Sequence, residues 1–132
     1  MRVIIGVGCD RGTPLETLEI AVAEALATAG VGHEVIAGLA TIDRKCDEPC
    51  IRALAERHGW PLRFYSAAQL AAVPVPNPSE TVRRYMGTPA VAEAAALIAA
   101  RADIGQLLVE KHKQRGADGR NVTVSIARMK DD

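Results

Sequence analysis

The sequence predicts one α/β domain built on a mainly parallel, mixed sheet of about five strands. Short apolar runs alternate with amphipathic helical segments through most of the chain, and this alternation is typical of parallel sheets. Near the end, strand segments at residues 104–109 and 121–127 are joined by a polar stretch, so we expect these last two strands to pair antiparallel. The 132 residues, 48% of them hydrophobic, suffice for one continuous core over residues 1–132.

The first unit of the chain is a strand followed by a helix. An apolar run at residues 1–8 precedes Thr13, Pro14 and Glu16. A hydroxyl, a proline and a glutamate in this order predict a helix that begins with a capping box. Gly30 follows the last residues of the apolar helical pattern, so we expect the helix to close there.

Two further strand-helix units follow. The apolar run at residues 33–42 leads into residues 47–49, where a proline marks the start of a helix that ends at Gly59. Residues 62–65 form a short third strand, and Ser66 begins a brief helix with a second capping box. This repetition is the main support for the parallel part of the sheet.

The second half of the chain is less regular. Residues 73–78 contain three prolines and predict a rigid, extended connection. We interpret it as a loop within one domain, because the roughly fifty residues that follow are fewer than most domains contain. Residues 79–86 predict one or two helical turns, and residues 87–89 begin an alanine-rich helix that runs through Arg101. Residues 111–120 predict a polar loop.

Composition excludes several classes of partner and location. Sixteen basic and sixteen acidic side chains cancel, so no overall field favours nucleic acid or a membrane surface. The apolar start is too short for a secretory core or a bilayer span. An odd number of cysteines, Cys9, Cys46 and Cys50, in a chain with an adequate core favours reduced thiols and a cytoplasmic location.

The carboxyl ends of the parallel strands predict where a ligand would bind. Loops that leave the strands and the N-termini of the following helices meet at this edge, and helix N-termini together with basic side chains favour anions. A ligand with several carboxylates would suit the edge. The residues that we expect to contact it are Gly8, Cys9, Arg11, Gly12, Thr41, Asp43, Lys45, Ser66, Gly87, Thr88 and Lys111, with Lys113 and Arg115 close by.

The densest chemical cluster follows the second strand. Thr41, Asp43, Lys45, Asp47 and Glu48 lie within one predicted loop. If the protein is catalytic, Lys45 would stabilise an oxyanion, and Asp43 or Glu48 would act on a water molecule as acid or base. The structural alternative assigns Asp47 to helix capping and Glu48 to the helix dipole, and it leaves Lys45 and Asp43 without a structural role.

Other motifs predict no cofactor and no metal. The glycines of residues 6–12 have the wrong spacing for a dinucleotide fingerprint, so they either form a tight turn or contact a ligand. A Cys-x3-Cys pair without a second pair or a nearby histidine is a poor zinc signature. We assign structural roles to His33 and His58, whereas His112 lies in the predicted basic loop as a candidate ligand contact, unless that loop is simply a solvated hairpin tip.

Five separated segments together resemble the CobE / CbiG C-terminal family over nearly the whole chain. They are residues 6–12, 38–48, 75–79, 87–96 and 123–128. The resemblance implies a three-layer α/β/α fold and a role in cobalamin biosynthesis. The longer CbiG relatives open a lactone on a cobalt-precorrin and release a two-carbon fragment, whereas stand-alone CobE proteins belong to the aerobic route. Where relatives have a small residue and a glycine, this chain has Cys46 and Cys50.

The resemblance leaves three hypotheses for function. In the first, the protein binds a precorrin or other corrin-ring intermediate, whose acetates and propionates match the anion-binding edge, and carries or stabilises it. In the second, Lys45, Asp43 and Glu48 hydrolyse a lactone; this is less secure, because the N-terminal region of the longer hydrolase is absent from the chain. In the third, the domain docks on another enzyme of the pathway. Whether the protein is an enzyme is left open.

Overall fold

The computed structural model describes residues 1–43, 48–74 and 91–130. Within them the chain forms β-strands and α-helices in alternation, with 3-10 turns at His33–Val35 and Ile104–Gln106. In chain order the elements are β1 (Val3–Cys9), α1 (Leu15–Ala29), β2 (Ile36–Ile42), α2 (Pro49–His58), β3 (Leu62–Tyr65), α3 (Ala67–Ala71), α4 (Val91–Ala100), β4 (Leu107–Arg115) and β5 (Asn121–Arg128).

The described strands form one mixed sheet in the order β3-β2-β1-β5-β4. β1, β2 and β3 are parallel neighbours. β5 pairs antiparallel with both β1 and β4, so β4 runs in the same direction as β1. The predicted fold class is confirmed: four of the five described strands run in the same direction, and the last two strands form an antiparallel pair.

Two apolar clusters cover the two faces of the sheet. Ile5 and Val7 of β1 pack with α1 and α2, and Ile4 of the same strand packs with α4 and α3. Because successive strand residues point to opposite faces, β1 contributes to both clusters. The result is a helix-sheet-helix arrangement that places α1 and α2 on one side and α4 on the other.

Gly6 sets how closely α4 approaches the sheet. A Cβ atom at this position would lie 2.0 Å from the Ala92 carbonyl oxygen and 2.9 Å from the Ala96 Cβ. The helix backbone therefore rests almost directly on β1, which only glycine permits. Close packing against α4 therefore explains Gly6, which is neither of the two roles, a tight turn or a ligand contact, that the sequence left open for residues 6–12.

Helices α1 and α2 end at the glycines that predicted their C-termini. Gly30 and Gly59 follow α1 and α2 with φ angles of 72° and 70°, the left-handed conformation that side chains disfavour. Each backbone N–H donates to carbonyls of the last turn. These two predicted helix ends are confirmed.

The predicted capping box at Thr13 is wrong. Helix α1 begins at Leu15, and Pro14, with ψ at 146°, occupies the N-cap position without a side-chain hydrogen bond. The extended Pro14 moves the helix start one residue on, so Thr13 lies outside it. Its hydroxyl donates instead to the Asp10 carbonyl at 2.6 Å and closes the loop before the helix.

The limits predicted for the last strand pair also need correction. Residues 104–109 were expected as a strand and 111–120 as a loop, but β4 begins at Leu107 and continues to Arg115. Pairing with β5 along its whole length supplies the backbone hydrogen bonds, and a strand at the edge of a sheet accepts charged side chains. The polar composition therefore indicated an edge strand, and the hairpin turn is limited to residues 116–120. β2 likewise begins at Ile36, after a 3-10 turn over the first residues of the predicted run.

Candidate functional site

The strand ends that the sequence predicted as a ligand site lie together in the fold. β1, β2, β3 and β4 end on the same side of the sheet, where β5 begins. We call this side the carboxyl edge. Its described residues are 8–13, 41–43, 48–50, 66, 91–93, 111–115 and 120–121. Lys45, Asp47, Gly87 and Thr88 lie outside the described residues, and so does the expected start of the alanine-rich helix.

The loop after β1 is fastened to the β4–β5 hairpin. The Asp10 carboxylate accepts hydrogen bonds from the backbone N–H and the side-chain amide of Asn121, at 2.8 and 3.2 Å. The Arg120 Nε donates to the Arg11 carbonyl at 2.9 Å. These contacts hold the loop from the β5 side, although more than a hundred residues separate the partners in sequence.

A buried carboxylate holds the same loop from the opposite side. The Gly12 N–H donates to Glu48 Oε1 at 3.1 Å, and Glu48 is only 1% exposed. The loop is thus braced between the hairpin and the start of α2. Gly12 has a φ of 77°, so its place in this tight turn needs glycine.

Arg11 projects from this braced loop. Its side chain is 61% exposed, and its Nη1 lies 3.9 Å from Glu48 Oε2. The guanidinium therefore stands at the rim of the carboxyl edge on a rigid support. A planar cation with fixed backbone is well suited to bind a carboxylate.

The structure changes the interpretation of Glu48. It is the N-cap residue of α2, but its side chain makes no capping hydrogen bond. The carboxylate faces the Gly12 N–H and the Cys50 thiol, whose Sγ lies 3.9 Å from Oε1. Since Glu48 is almost fully buried, a substrate would reach it only if the loop moved. The catalytic role predicted for it stays a prediction.

Lys111 reaches the site from the middle of β4. Its Nζ lies 3.2 Å from Oε1 of Glu93, and the two side chains are 20% and 0% exposed. Glu93 belongs to the first turn of α4, so this ion pair joins the edge strand to the helix across one face of the sheet. A carboxylate is buried at this depth only with a compensating charge.

The remaining predicted contacts differ in their accessibility to a ligand. Gly8 lies beside α4, where an added Cβ would be 3.7 Å from Val91. Thr41 is completely buried, and its hydroxyl donates to the Val7 carbonyl at 2.7 Å. Asp43 is exposed at the end of β2. Thr41 therefore supports the strand ends, and Asp43 faces solvent.

Ser66 forms the predicted capping box. Its hydroxyl accepts from the Gln69 N–H at 3.1 Å, and the Gln69 side chain accepts from the Ser66 N–H at 2.8 Å. Ser66→Ala should therefore lower the free energy of unfolding by about 1 kcal/mol in urea denaturation. Ser66→Asp, which can still accept from the helix, is the matched control and should lose much less. Equal losses in both variants would contradict the capping role.

His112 and the other histidines have partners on the protein surface. His112 lies on β4, and its Nε2 is 2.9 Å from Glu24 Oε1 on α1, so it is part of a strand and not of a basic loop. His58 Nε2 lies 2.9 Å from Glu19 Oε1, and the His33, His58 and Trp60 rings stack on one another. These contacts support structural roles for His33 and His58.

The hairpin turn contains a carboxylate whose ionisation is perturbed. The Arg120 N–H donates to Asp118 Oδ1 at 3.0 Å, and the Arg120 Nη1 lies 2.9 Å from Oδ2. The backbone hydrogen bond is the main cause that lowers the pKa of Asp118, and the Arg120 guanidinium adds to it. The negative form of Asp118 therefore orients Arg120, which in turn holds the Arg11 carbonyl.

Glu93, Arg120 and Asn121 belong to this site although they were not predicted from the sequence. Glu93 had a detectable signal, because it is the one charged residue among the apolar positions of Val91–Ala100, and an isolated charge on a buried helix requires a partner. The roles of Arg120 and Asn121 had no such signal, because they depend on which loop the hairpin meets.

A groove of 560 Å³ opens at the opposite end of the sheet, where α2 leads into β3. It is lined by Arg52, Ala55, Glu56, Gly59, Trp60, Pro61 and Leu62. None of the predicted site residues lines it. We therefore keep the carboxyl edge as the candidate site, because the charged and hydrogen-bonded groups meet there.

The described part of the chain holds neither a metal-binding cluster nor a membrane-spanning helix. Over residues 1–43, 48–74 and 91–130, no group of three or more His, Cys, Asp or Glu side chains is arranged to hold a metal ion. None of the helices in these ranges is both long enough and apolar enough to cross a bilayer.

The chain is similar in sequence to known proteins. A family model described as "Cobalamin synthesis G C-terminus" matches residues 3–127. The chain is 43% identical over 111 residues to "Protein CobE" of Sinorhizobium sp, which covers 82% of this chain and 71% of that protein. It is 33% identical over 123 residues to "Cobalt-precorrin-5A hydrolase" of Priestia megaterium, covering 93% of this chain. The chain spans only 31% of the length of that hydrolase.

Solved structures show the same fold. A crystal structure of CobE, described as a protein from the cobalamin (vitamin B12) biosynthetic pathway, matches with a TM-score of 0.78 at 34% identity, covering 96% of this chain and 89% of that one. The cobalamin biosynthesis protein chiG from Agrobacterium tumefaciens str. C58 matches with a TM-score of 0.65 at 29% identity, covering 98% and 99%. Both similarities extend over nearly the whole domain.

Proposed function

Because the chain belongs to the Cobalamin synthesis G C-terminus family, as its five segments predicted, we propose that it binds a carboxylate-rich corrin-ring intermediate and carries or stabilises it. Membership ties the chain to cobalamin biosynthesis. The observation that carries the finer proposal is the exposed Arg11 guanidinium on a loop braced from both sides. A cytoplasmic location is part of the proposal, in keeping with the odd number of cysteines.

The charges at the carboxyl edge favour an anionic ligand. The carboxylates of Glu48 and Glu93 are buried against Arg11 and Lys111, so neither repels a ligand from the surface. Arg11 and Lys113 remain exposed at the rim. Acetate and propionate groups around a corrin ring would meet several such cations at once, and multiple charge-assisted contacts supply both affinity and orientation.

Binding without chemistry is the simpler function for the described residues. The hydrolase alternative needs an acid or base in contact with substrate, but Glu48 is 1% exposed and accepts a hydrogen bond from Gly12. Asp43 is exposed, and Lys45 lies outside the described residues. The catalytic roles predicted for these two residues stay predictions. The chain is similar to a hydrolase but spans only 31% of the length of that protein. Hydrolysis is therefore an alternative that the experiment must distinguish from binding.

Titration with cobyrinic acid, a cobalt corrin with free acetate and propionate side chains, tests the proposal. We expect a saturable absorbance shift, and we expect Arg11→Ala to weaken binding about tenfold, because a hydrogen bond between charged groups contributes about 1.5–3 kcal/mol. Arg2→Ala is the matched control, since Arg2 is exposed at the opposite end of β1. Cobinamide, whose side chains are amides, should bind much more weakly.

Mass analysis of the same mixtures separates the alternatives. A retained ligand of unchanged mass supports a carrier, and a product of changed mass would overturn it in favour of an enzyme. No absorbance shift with either metal-bearing cobyrinic acid or metal-free hydrogenobyrinic acid, in protein shown to be folded by circular dichroism, would reject the binding proposal. Lys45→Ala should weaken binding as Arg11→Ala does if the sequence prediction for Lys45 is right.

A further inference from the structure

We propose that Cys9 and Cys50 form an oxidation-responsive thiol pair at the carboxyl edge, which a peroxide converts to a disulfide. Cys9 ends β1, and Cys50 lies in the first turn of α2. Their sulfur atoms are 4.0 Å apart, although 41 positions separate the residues in sequence. The disulfide joins residues other than those of the Lys111–Glu93 ion pair, and its formation needs no corrinoid.

At this distance the two sulfurs are not bonded, but they can approach each other to form a disulfide. A disulfide has an S–S length of about 2 Å, so the sulfurs must approach by about another 2 Å. Rotation about the side-chain torsions of two cysteines moves sulfur atoms over this range without a change of fold. Both residues are present as thiols in the structure.

The surroundings give the two thiols different parts in the reaction. Cys9 is partly exposed, whereas Cys50 is 3% exposed, so an oxidant in solution meets Cys9 first. Cys50 lies in the first turn of α2, below the surface and within reach of Cys9. The Glu48 carboxylate, with Oε1 3.9 Å from the Cys50 Sγ, is placed to accept the Cys50 proton.

The reaction balances with hydrogen peroxide as the oxidant. The Cys9 thiolate attacks one peroxide oxygen, so that an S–O bond forms and the O–O bond breaks, and the leaving hydroxide takes a proton to become water. The Cys50 thiolate then attacks the Cys9 sulfur, the S–S bond forms, and the S–O bond breaks with release of a second water. Two thiols and one peroxide thus give one disulfide and two waters.

The disulfide would act on the ligand loop through Glu48. The same Oε1 that lies near the Cys50 thiol accepts the hydrogen bond from the Gly12 N–H. Drawing Cys50 towards Cys9 changes the contacts of this carboxylate and therefore the support of Arg11. This consequence rests on the proposed function, and we expect oxidation to weaken cobyrinic acid binding about fivefold or more.

Thiol trapping and mass spectrometry test the pair without any ligand. Cys46→Ser leaves Cys9 and Cys50 as the two cysteines of the chain. After treatment with hydrogen peroxide and then N-ethylmaleimide, we expect a monomer lighter by two hydrogens that carries no maleimide, and a peptide map that links residues 9 and 50. Dithiothreitol should restore two reactive thiols. The natural chain, mapped in parallel, should yield the same link.

The controls keep the outcome separate from the binding proposal. Cys46→Ser combined with Cys9→Ser or with Cys50→Ser cannot form the link and should keep one reactive thiol. Sulfinic acid at Cys9 without a link, or disulfides only between two chains, would overturn the pair. A link with unchanged affinity for cobyrinic acid would overturn the coupling to the ligand loop. If no corrinoid binds even the reduced protein, the mass result still decides the thiol chemistry.

Discussion

Gly6→Ala is expected to lower the free energy of unfolding by about 3 kcal/mol or more, at the upper end of overpacking effects. The new Cβ would lie 2.0 Å from the Ala92 carbonyl oxygen and 2.9 Å from both the backbone nitrogen and the Cβ of Ala96. Backbone atoms of a packed helix cannot turn away as a side chain does, so α4 would have to lift from β1. Since a domain of this kind has about 5–15 kcal/mol of total stability, this loss is a large share of the total.

Urea denaturation followed by circular dichroism measures this effect, and Gly8→Ala is the matched control. Gly8 lies on the same strand and faces the same helix, but its added Cβ would be 3.7 Å from the nearest atom, a Val91 side-chain carbon. Its free energy of unfolding should change by less than about 1 kcal/mol. Similar midpoints for Gly6→Ala and the natural chain would mean that α4 does not rest on β1 as described.

Lys111→Met is expected to cost about 3 kcal/mol of stability, because removal of one partner of a buried ion pair leaves the other charge without that compensation. Glu93 is completely buried, and the Lys111 Nζ lies 3.2 Å from its Oε1. Methionine keeps much of the apolar stem of lysine, so the change isolates the charge. Lys113→Met, at an exposed position of the same strand, should change stability by less than about 0.5 kcal/mol.

A double-mutant cycle with Glu93→Gln separates the ion pair from other effects of each substitution. If Lys111 and Glu93 stabilise each other, the double variant should be more stable than the sum of the two single losses predicts, by about 1 kcal/mol or more. Losses that add within about 0.5 kcal/mol would show that the pair does not couple β4 to α4. The measurement is urea denaturation of all four proteins at one pH.

The ion pair explains why Lys111 lies at the candidate site. Lys111 was predicted as a ligand contact from its place after a strand, and the structure puts it near the first turn of α4 at the carboxyl edge. Its partner there is Glu93, with which it forms a buried pair. Lys111 therefore supports the helix that borders the site, whereas Arg11, whose side chain is 61% exposed, lies open to a ligand at the rim.

Helix ends and caps were predictable wherever residues close in sequence decide the conformation. Gly30 and Gly59 end their helices, and Ser66 forms its capping box, because each depends on residues within a few positions of the chain. Thr13 shows the limit of such patterns. The same capping signature failed there, since Pro14 stayed extended and the hydroxyl found the Asp10 carbonyl inside the loop.

The sequence by itself determined the α/β class, the single mixed sheet, the family and the helix ends, because periodicity, caps and the five motifs depend on local order along the chain. Only the tertiary structure decided that Glu48 braces Gly12, that Lys111 meets Glu93, and that the two thiols lie side by side. These contacts join distant segments and follow from the strand order β3-β2-β1-β5-β4. That order is set by packing both faces of the sheet at once, which no local pattern specifies.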